Sequence, residues 1–310
     1  MSKPLLTARG LERRFGPRTA VAGVHLELGQ GEVLGLLGLN GAGKTTTLQM
    51  LCGVLAPTTG SIQIAGHDLL DAPRQAKQCL GYLPEVPPLQ PDARVRDYLA
   101  WTARLRRMPK SRIPGGVERV LARCALEDVA HRVIRNLSKG YQQRVGIAQA
   151  IVHEPALIVL DEPTVGLDPR QVQGIRELIT DLRREHGIIF SSHILAEVQA
   201  VSDRVTILHH GRAIYSGAAD EAGASQPRYL ARFEHSPPID AVRAIDGVLA
   251  ADPAPAGGGL LLEISDDQAL DALLAEAVRQ GWGLRELGRE RRTLEQVFLD
   301  LTEAAEEAAA

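Results

Sequence analysis

The 310-residue sequence is short of several features that mark whole protein classes, and each shortage excludes something. Its three cysteines, Cys52, Cys79 and Cys124, are widely spaced and odd in number, with no C-x-x-C pair for zinc or redox chemistry. That usage predicts a reducing, cytoplasmic setting. No stretch approaches the ~18 consecutive apolar residues of a membrane span, and residues 1–9 carry no apolar signal core. Any membrane-embedded part of its work is therefore expected in another chain. Positive charge is not in excess: a formal net charge of −3 gives no reason to expect nucleic acid as a partner. Internal repeats and sustained heptads are missing as well. What is present, 45% hydrophobic and 24% charged residues, is the composition of a globular chain with room for one large and one small domain.

Lysine is also scarce, which makes one stretch conspicuous: Gly38-Leu39-Asn40-Gly41-Ala42-Gly43-Lys44-Thr45-Thr46. It satisfies G-x-x-x-x-G-K-[ST] at Gly38, Gly43, Lys44 and Thr45. Glycines let the backbone wrap so that successive N–H groups converge on phosphate oxygens, and the following helix points its positive end at the same charge. Lys44 is positioned to reach β- and γ-phosphates, and the Thr45 hydroxyl to ligate Mg²⁺. The flanks agree: residues 32–37 read as a short buried strand, and residues 45–55 as a helix.

Residues 5–11 and 24–28 read as a small antiparallel unit about a turn at Gly16-Pro17, with Phe15 between the strands. Strands are predicted again at 61–64 and 79–83. From 92 to about 154 the pattern turns helical, with apolar positions at Val95, Leu99, Trp101 and Leu105 and breaks at Pro109 and Pro114. Three near-continuous apolar runs follow, 157–160, 188–192 and 204–208, each after a helix-like segment; this argues a buried parallel sheet. Beyond Tyr215-Ser216-Gly217 the order changes to β-α-β-β-α-β over 229–288, a ferredoxin-like unit, with a last helix over 293–305.

The run 157–160 ends in Asp161 and Glu162. Neighbouring residues on a strand face opposite sides, so the two acids can take different jobs: Asp161 on Mg²⁺ through water, Glu162 polarising an attacking water. Taken alone, such a pair also fits a helix cap before Pro163.

Leu137-Ser138-Lys139-Gly140-Tyr141-Gln142-Gln143-Arg144 resembles the signature of ATP-binding cassette (ABC) ATPases, usually Leu-Ser-Gly-Gly-Gln followed by Gln-Arg. Other motifs of that family stand in order. Phe15 resembles its adenine-stacking aromatic, Gly166-Leu167-Asp168-Pro169 its interface aspartate loop, and His193 its γ-phosphate histidine. The resemblance covers residues 5 to about 217. Two departures stand out: Glu85 replaces a glutamine that contacts Mg²⁺, and Lys139 and Tyr141 replace signature residues while Ser138 and Gly140 are kept.

The resemblance implies an α/β fold, a P-loop NTPase of ABC type. It has a RecA-like core, an antiparallel β subdomain and a helical subdomain at about 86–155, within a domain over 1–220. A small α+β domain over 226–310 follows. It implies an ATPase that uses ATP and Mg²⁺, forms a head-to-tail homodimer sandwiching two nucleotides, and drives an integral membrane permease from the inner face of the membrane. Phe15, Gly38 to Thr46, Ser138, Gly140 and Asp168 then bind nucleotide, Thr45, Asp161 and Glu85 serve the metal, and Glu162 and His193 carry hydrolysis. Gly-Tyr-Leu-Pro-Glu at 81–85 and Thr-Leu-Glu-Gln-Val-Phe at 293–298 look like subunits of bacterial drug and gliding-motility exporters. The rivals are a soluble ABC ATPase acting on ribosome or DNA and an ATP-sensing module without catalysis. Seven basic residues between Arg94 and Arg112, against Asp97 alone, form either a solvated helix face or a surface toward the membrane partner.

Overall fold

The computed structural model describes residues 4–219, 228–254 and 259–289, which fall into two compact units dividing near residue 220. In the first, β1 (Leu6–Phe15) and β2 (Arg18–Leu28) make an antiparallel hairpin. Both strands run further than the sequence suggests, so Phe15 is the last residue of β1 rather than part of a linker. β3 (Val33–Leu37) leads through the glycine loop into α1 (Lys44–Leu51); β4 (Thr59–Ile64) and β5 (His67–Asp68) complete a sheet ordered β2-β1-β4-β5. Leu48, Met50 and Leu51 of α1 are fully buried against inward residues of this sheet, such as Leu6, Leu11 and Leu28, and against Leu34 and Leu36 of β3. Each such side chain stabilises the packing by about 2 kcal/mol. The helix that presents Lys44 and Thr45 is thereby fixed from both sides.

After α2 (Pro73–Gln78) comes β6 (Leu80–Leu83), then the helices α3 (Val95–Leu105), α4 (Ile113–Arg123) and α5 (Lys139–Ile151). Pro109 does interrupt the helical region, but Pro114 lies in the first turn of α4, where its missing N–H is no loss. The buried face of α3 is Val95, Tyr98, Leu99, Thr102 and Ala103, while Trp101 and Leu105 are exposed, contrary to the apolar periodicity drawn through them. β7 (Leu157–Leu160), α6 (Pro169–Leu182), β8 (Gly187–Ser192), α7 (Leu195–Val201), β9 (Arg204–His209) and β10 (Arg212–Ala218) follow. The second sheet runs β10-β9-β3-β8-β7-β6, parallel except for the edge strand β10. β3, β7 and β8 are buried at every position, which explains their apolar sequences up to the two serines that end β8. β8 sits between β3 and β7, so the carboxyl ends of these three strands form one row. In open α/β sheets that edge is where ligands bind.

At the opposite ends of the strands two histidines are held neutral. His153 Nε2 lies 3.1 Å from the Leu80 carbonyl and His186 Nδ1 2.6 Å from that of Pro155. Burial lowers both, His153 to about 4; the Arg106 charge adds to the effect at His153 and the Arg123 charge at His186. The unfolded chain, with histidines near 6.5, takes up more protons as pH falls, so stability is full above 6.5 and declines between about 6.5 and 4. For His153 the loss at pH 5 should be about 1–2 kcal/mol. The urea midpoint of His153→Gln should therefore fall less between pH 7.5 and 5 than that of the wild type; an equal fall would remove His153 from the account.

The second unit comprises β11 (Arg228–Phe233), α8 (Ile239–Arg243), β12 (Val248–Pro253), β13 (Leu260–Ile264), α9 (Asp267–Arg279) and β14 (Leu284–Arg289). Its elements follow the β-α-β-β-α-β order read from the sequence, and its sheet, β12-β13-β11-β14, is antiparallel throughout. Leu262, Ile264, Leu273 and Trp282 lie in its core. The helix predicted over 293–305 and the Thr-Leu-Glu-Gln-Val-Phe stretch fall outside the described residues. Among the described residues no helix is long and apolar enough to cross a membrane.

Candidate functional site

The glycine loop is shaped by close approach. A Cβ on Gly43, whose φ is +101°, would meet the Ala20 carbonyl oxygen at 2.8 Å, and one on Gly38 would meet that of Leu208 at 2.5 Å. Neither position tolerates a side chain. Lys44, the first residue of α1, is buried; its Nζ donates to the Gly38 carbonyl at 2.8 Å and lies 3.2 Å from Glu162 Oε1.

Glu162 is held in the left-handed region at φ +47°, a strained setting for a residue with a side chain. Its Oε2 lies 2.8 Å from His193 Nδ1, so one carboxylate joins the lysine following β3 to the histidine following β8. Its backbone N–H donates to Ser191 Oγ at 2.9 Å, and that hydroxyl donates to Asp161 Oδ1 at 2.6 Å. The two adjacent acids do face different partners, but both lie beyond the end of β7, and it is the left-handed turn at Glu162 rather than strand alternation that separates them.

Asp161 is fully buried, and burial raises its carboxyl above the usual carboxylate range; the Ser191 and Thr45 hydroxyls oppose that rise, and the charges of Glu162 and Glu85 add to it. Thr45 Oγ1 is 3.4 Å from Oδ1, whereas Oδ2 is buried without a partner among the described residues. An unpartnered buried carboxylate oxygen beside a threonine hydroxyl suits a hard cation with oxygen ligands. Among the described residues no three acidic, histidine or cysteine side chains cluster as a metal cage, so a cation here would draw its other ligands from water and a bound phosphate. The residues fit Mg²⁺ carried in with a nucleotide.

One cleft of about 600 Å³ gathers most of the residues singled out from the sequence: Phe15, Leu39, Asn40, Gly41, Gly43, Lys44, Thr45, Thr46, Glu85, Glu162 and His193. Its volume is in the range of small-molecule sites. Ser138, Gly140 and Asp168 are not part of its lining. Ser138 is exposed and caps α5, accepting from the Tyr141 N–H at 3.4 Å. Asp168 Oδ1 accepts from the N–H groups of Arg170 and Gln171 at 3.0 Å and caps α6. A Cβ on Gly140 would lie 2.5 Å from the Gln171 amide carbon, and the Lys139 amino group approaches Gly166; the signature turn and the aspartate loop therefore pack on one another.

Several site residues escaped the sequence reading. Ser191 bridges the two acids, and its only sequence signal was a polar residue in a buried apolar run. Buried Glu197 accepts from Thr164 Oγ1 at 2.6 Å and from Ser192 Oγ at 2.8 Å, tying the turn after Glu162 to the end of β8. Arg18 lines the cleft beside Phe15. The basic stretch is divided: Arg96 pairs with Glu118 and Arg112 with Glu154, and Arg106 donates to the carbonyls of Lys77 and Leu80 at 3.3 Å. Arg107 lines a second cleft of about 290 Å³ with Arg74 and Lys77.

The family model described as "ABC transporter" matches residues 21–165. The ABC transporter ATP-binding protein NatA of Bacillus subtilis (strain 168) is 38% identical over 228 residues, which make up 72% of this chain and 93% of NatA. Nod factor export ATP-binding protein I of Ralstonia nicotianae is 32% identical over 304 residues, 97% of this chain and 94% of that protein. Among solved structures, cbiO1 of Clostridium perfringens, described as part of the ABC transporter complex cbiONQ, is similar with a TM-score of 0.65 at 28% identity, covering 72% of this chain and 92% of that one.

Proposed function

Because this chain belongs to the family of ABC transporter ATP-binding subunits, we propose that two copies of it close on two MgATP and hydrolyse them to drive a separate integral membrane permease in the direction of export. The observation that carries this reading is Glu162, set between Lys44 and His193 at adjoining strand ends, beside the unpartnered oxygen of Asp161. Lys44 and the loop amides bind β- and γ-phosphates, and Phe15 stacks on adenine. Thr45 and Asp161 would hold Mg²⁺, with Glu85 facing the same cleft, and a cation there would supply positive charge against the phosphates. Glu162 orients and polarises the attacking water and accepts its proton, while His193 keeps the carboxylate aimed.

Ser138, Gly140 and Asp168 stand apart from their own chain's cleft, in keeping with completing the site of a second copy. Export is supported by a relative of nearly the same length that is named for Nod factor export. The protein acts at the cytoplasmic face of the membrane, with residues 1–220 as the ATPase domain and 226–310 as an accessory domain.

The test is a pull-down of tagged Glu162→Gln protein from detergent-solubilised native membranes with MgATP. A multi-span membrane protein should co-purify; ribosomal or other soluble partners alone would replace this reading with that of a soluble ABC ATPase. In the same assay Arg104→Glu with Arg107→Glu should reduce permease recovery severalfold with ATP binding intact. Arg106 is left unchanged because its contacts to the Lys77 and Leu80 carbonyls are structural. Full recovery would make the basic stretch a solvated helix face.

A further inference from the structure

The tip of the β1–β2 hairpin holds a cation that the mechanism above leaves unused. Phe15 and Arg18 are directly opposite in the strand register, across the Gly16-Pro17 turn, so their side chains leave the same face of the hairpin. Both line the cleft. The exposed Arg18 guanidinium makes no hydrogen bond or ion pair among the described residues.

Arg13, two residues before Phe15, is employed differently. Its Nη1 donates to the Ala56 carbonyl at 2.8 Å, and its guanidinium carbon lies 4.7 Å from the centre of the Phe15 ring. Arg13 is not part of the cleft lining, so a tethered cation covers one face of the ring and the other is left for a ligand. Among the described residues two arginine or lysine side chains line the cleft, Lys44 and Arg18, and the ATP reading gives Lys44 to the terminal phosphates. A nucleotide with its base on Phe15 and its terminal phosphates at Lys44 passes its ribose and α-phosphate beside Arg18.

We infer that Arg18 is a nucleotide-binding residue that donates charge-assisted hydrogen bonds to the α-phosphate while the base stacks on Phe15, a role that rests on the ATP reading above. Its place on one edge of the cleft adds affinity shared by every adenine nucleotide, whatever the length of the phosphate chain. Lys44 supplies the part that depends on that length.

The experiment is equilibrium binding of ATP, ADP and AMP to the full chain, in EDTA to prevent turnover, for wild type, Arg18→Gln and Lys44→Ala. Arg18→Gln should weaken all three nucleotides by one common factor of about tenfold, in line with a solvent-exposed charged hydrogen bond. Lys44→Ala should weaken ATP and ADP much more than AMP. Raising salt should narrow the gap between wild type and Arg18→Gln, because the lost contact is a screened charge pair. Combining Phe15→Leu with Arg18→Gln should multiply the two losses, since base and phosphate are separate contacts. Unchanged affinities in Arg18→Gln would overturn the inference, as would a loss confined to ATP, which would place Arg18 at the terminal phosphate. Wild-type protein that binds no ATP would instead fail the underlying reading. The substitution lies at an exposed turn, so the variant should fold as the wild type does.

Discussion

Glu162→Gln is expected to lower steady-state phosphate release by about 100-fold or more, the usual contribution of a positioned general base, while leaving nucleotide bound. A glutamine amide keeps the size of the carboxylate but cannot take a proton from water. It also changes the charge balance around Lys44. In this structure Glu162 Oε1 lies 3.2 Å from Lys44 Nζ and competes with phosphate for that cation. Removing the negative charge frees the lysine and removes a repulsion toward the γ-phosphate, so ATP affinity should hold or rise. With binding intact and turnover stopped, the protein should shift to a dimer on size-exclusion chromatography in MgATP. Turnover within tenfold of wild type would exclude Glu162 as the base, and a monomer in saturating MgATP would exclude the shared-site arrangement.

Lys44→Ala should act in the opposite sense, weakening ATP binding by about 10- to 100-fold through loss of charge-assisted hydrogen bonds to phosphate. A second consequence concerns stability. Lys44 and Glu162 are both buried, and removing the cation leaves the carboxylate with His193 Nδ1 as its remaining side-chain contact. Breaking one side of a buried pair costs about 3–5 kcal/mol in general, and the histidine contact should bring this case below that range. The double variant Lys44→Ala with Glu162→Gln should be more stable than Lys44→Ala alone, because it no longer buries an under-paired charge. A double-mutant cycle read from thermal melting checks this. Strict additivity would mean that the 3.2 Å contact carries no coupling in solution.

The site itself was largely legible because its parts are short and covalently contiguous. The spacing from Gly38 to Thr45 encodes a loop whose glycines answer to close backbone approach, and the Asp161–Glu162 pair encodes two opposed carboxylates at a strand end. The helical region was harder: Trp101 and Leu105 fit an apolar repeat on paper yet lie on the exposed side of α3, since the packing neighbours that choose a helix face are distant in sequence.

By itself the sequence determined the glycine loop before α1, the adjacent acids, the serine-capped turn before α5, the uniformly buried strands and the β-α-β-β-α-β order of the second unit. Each of these follows from local spacing, alternation or turn chemistry. Tertiary structure alone decided that β8 enters between β3 and β7, which brings His193 to Glu162, Ser191 to Asp161 and Glu197 to Thr164. It also left one ring face of Phe15 under Arg13 and set Arg18 at its side. Strand order is settled by burying whole apolar faces at once, a sum over residues more than a hundred positions apart that no local pattern records.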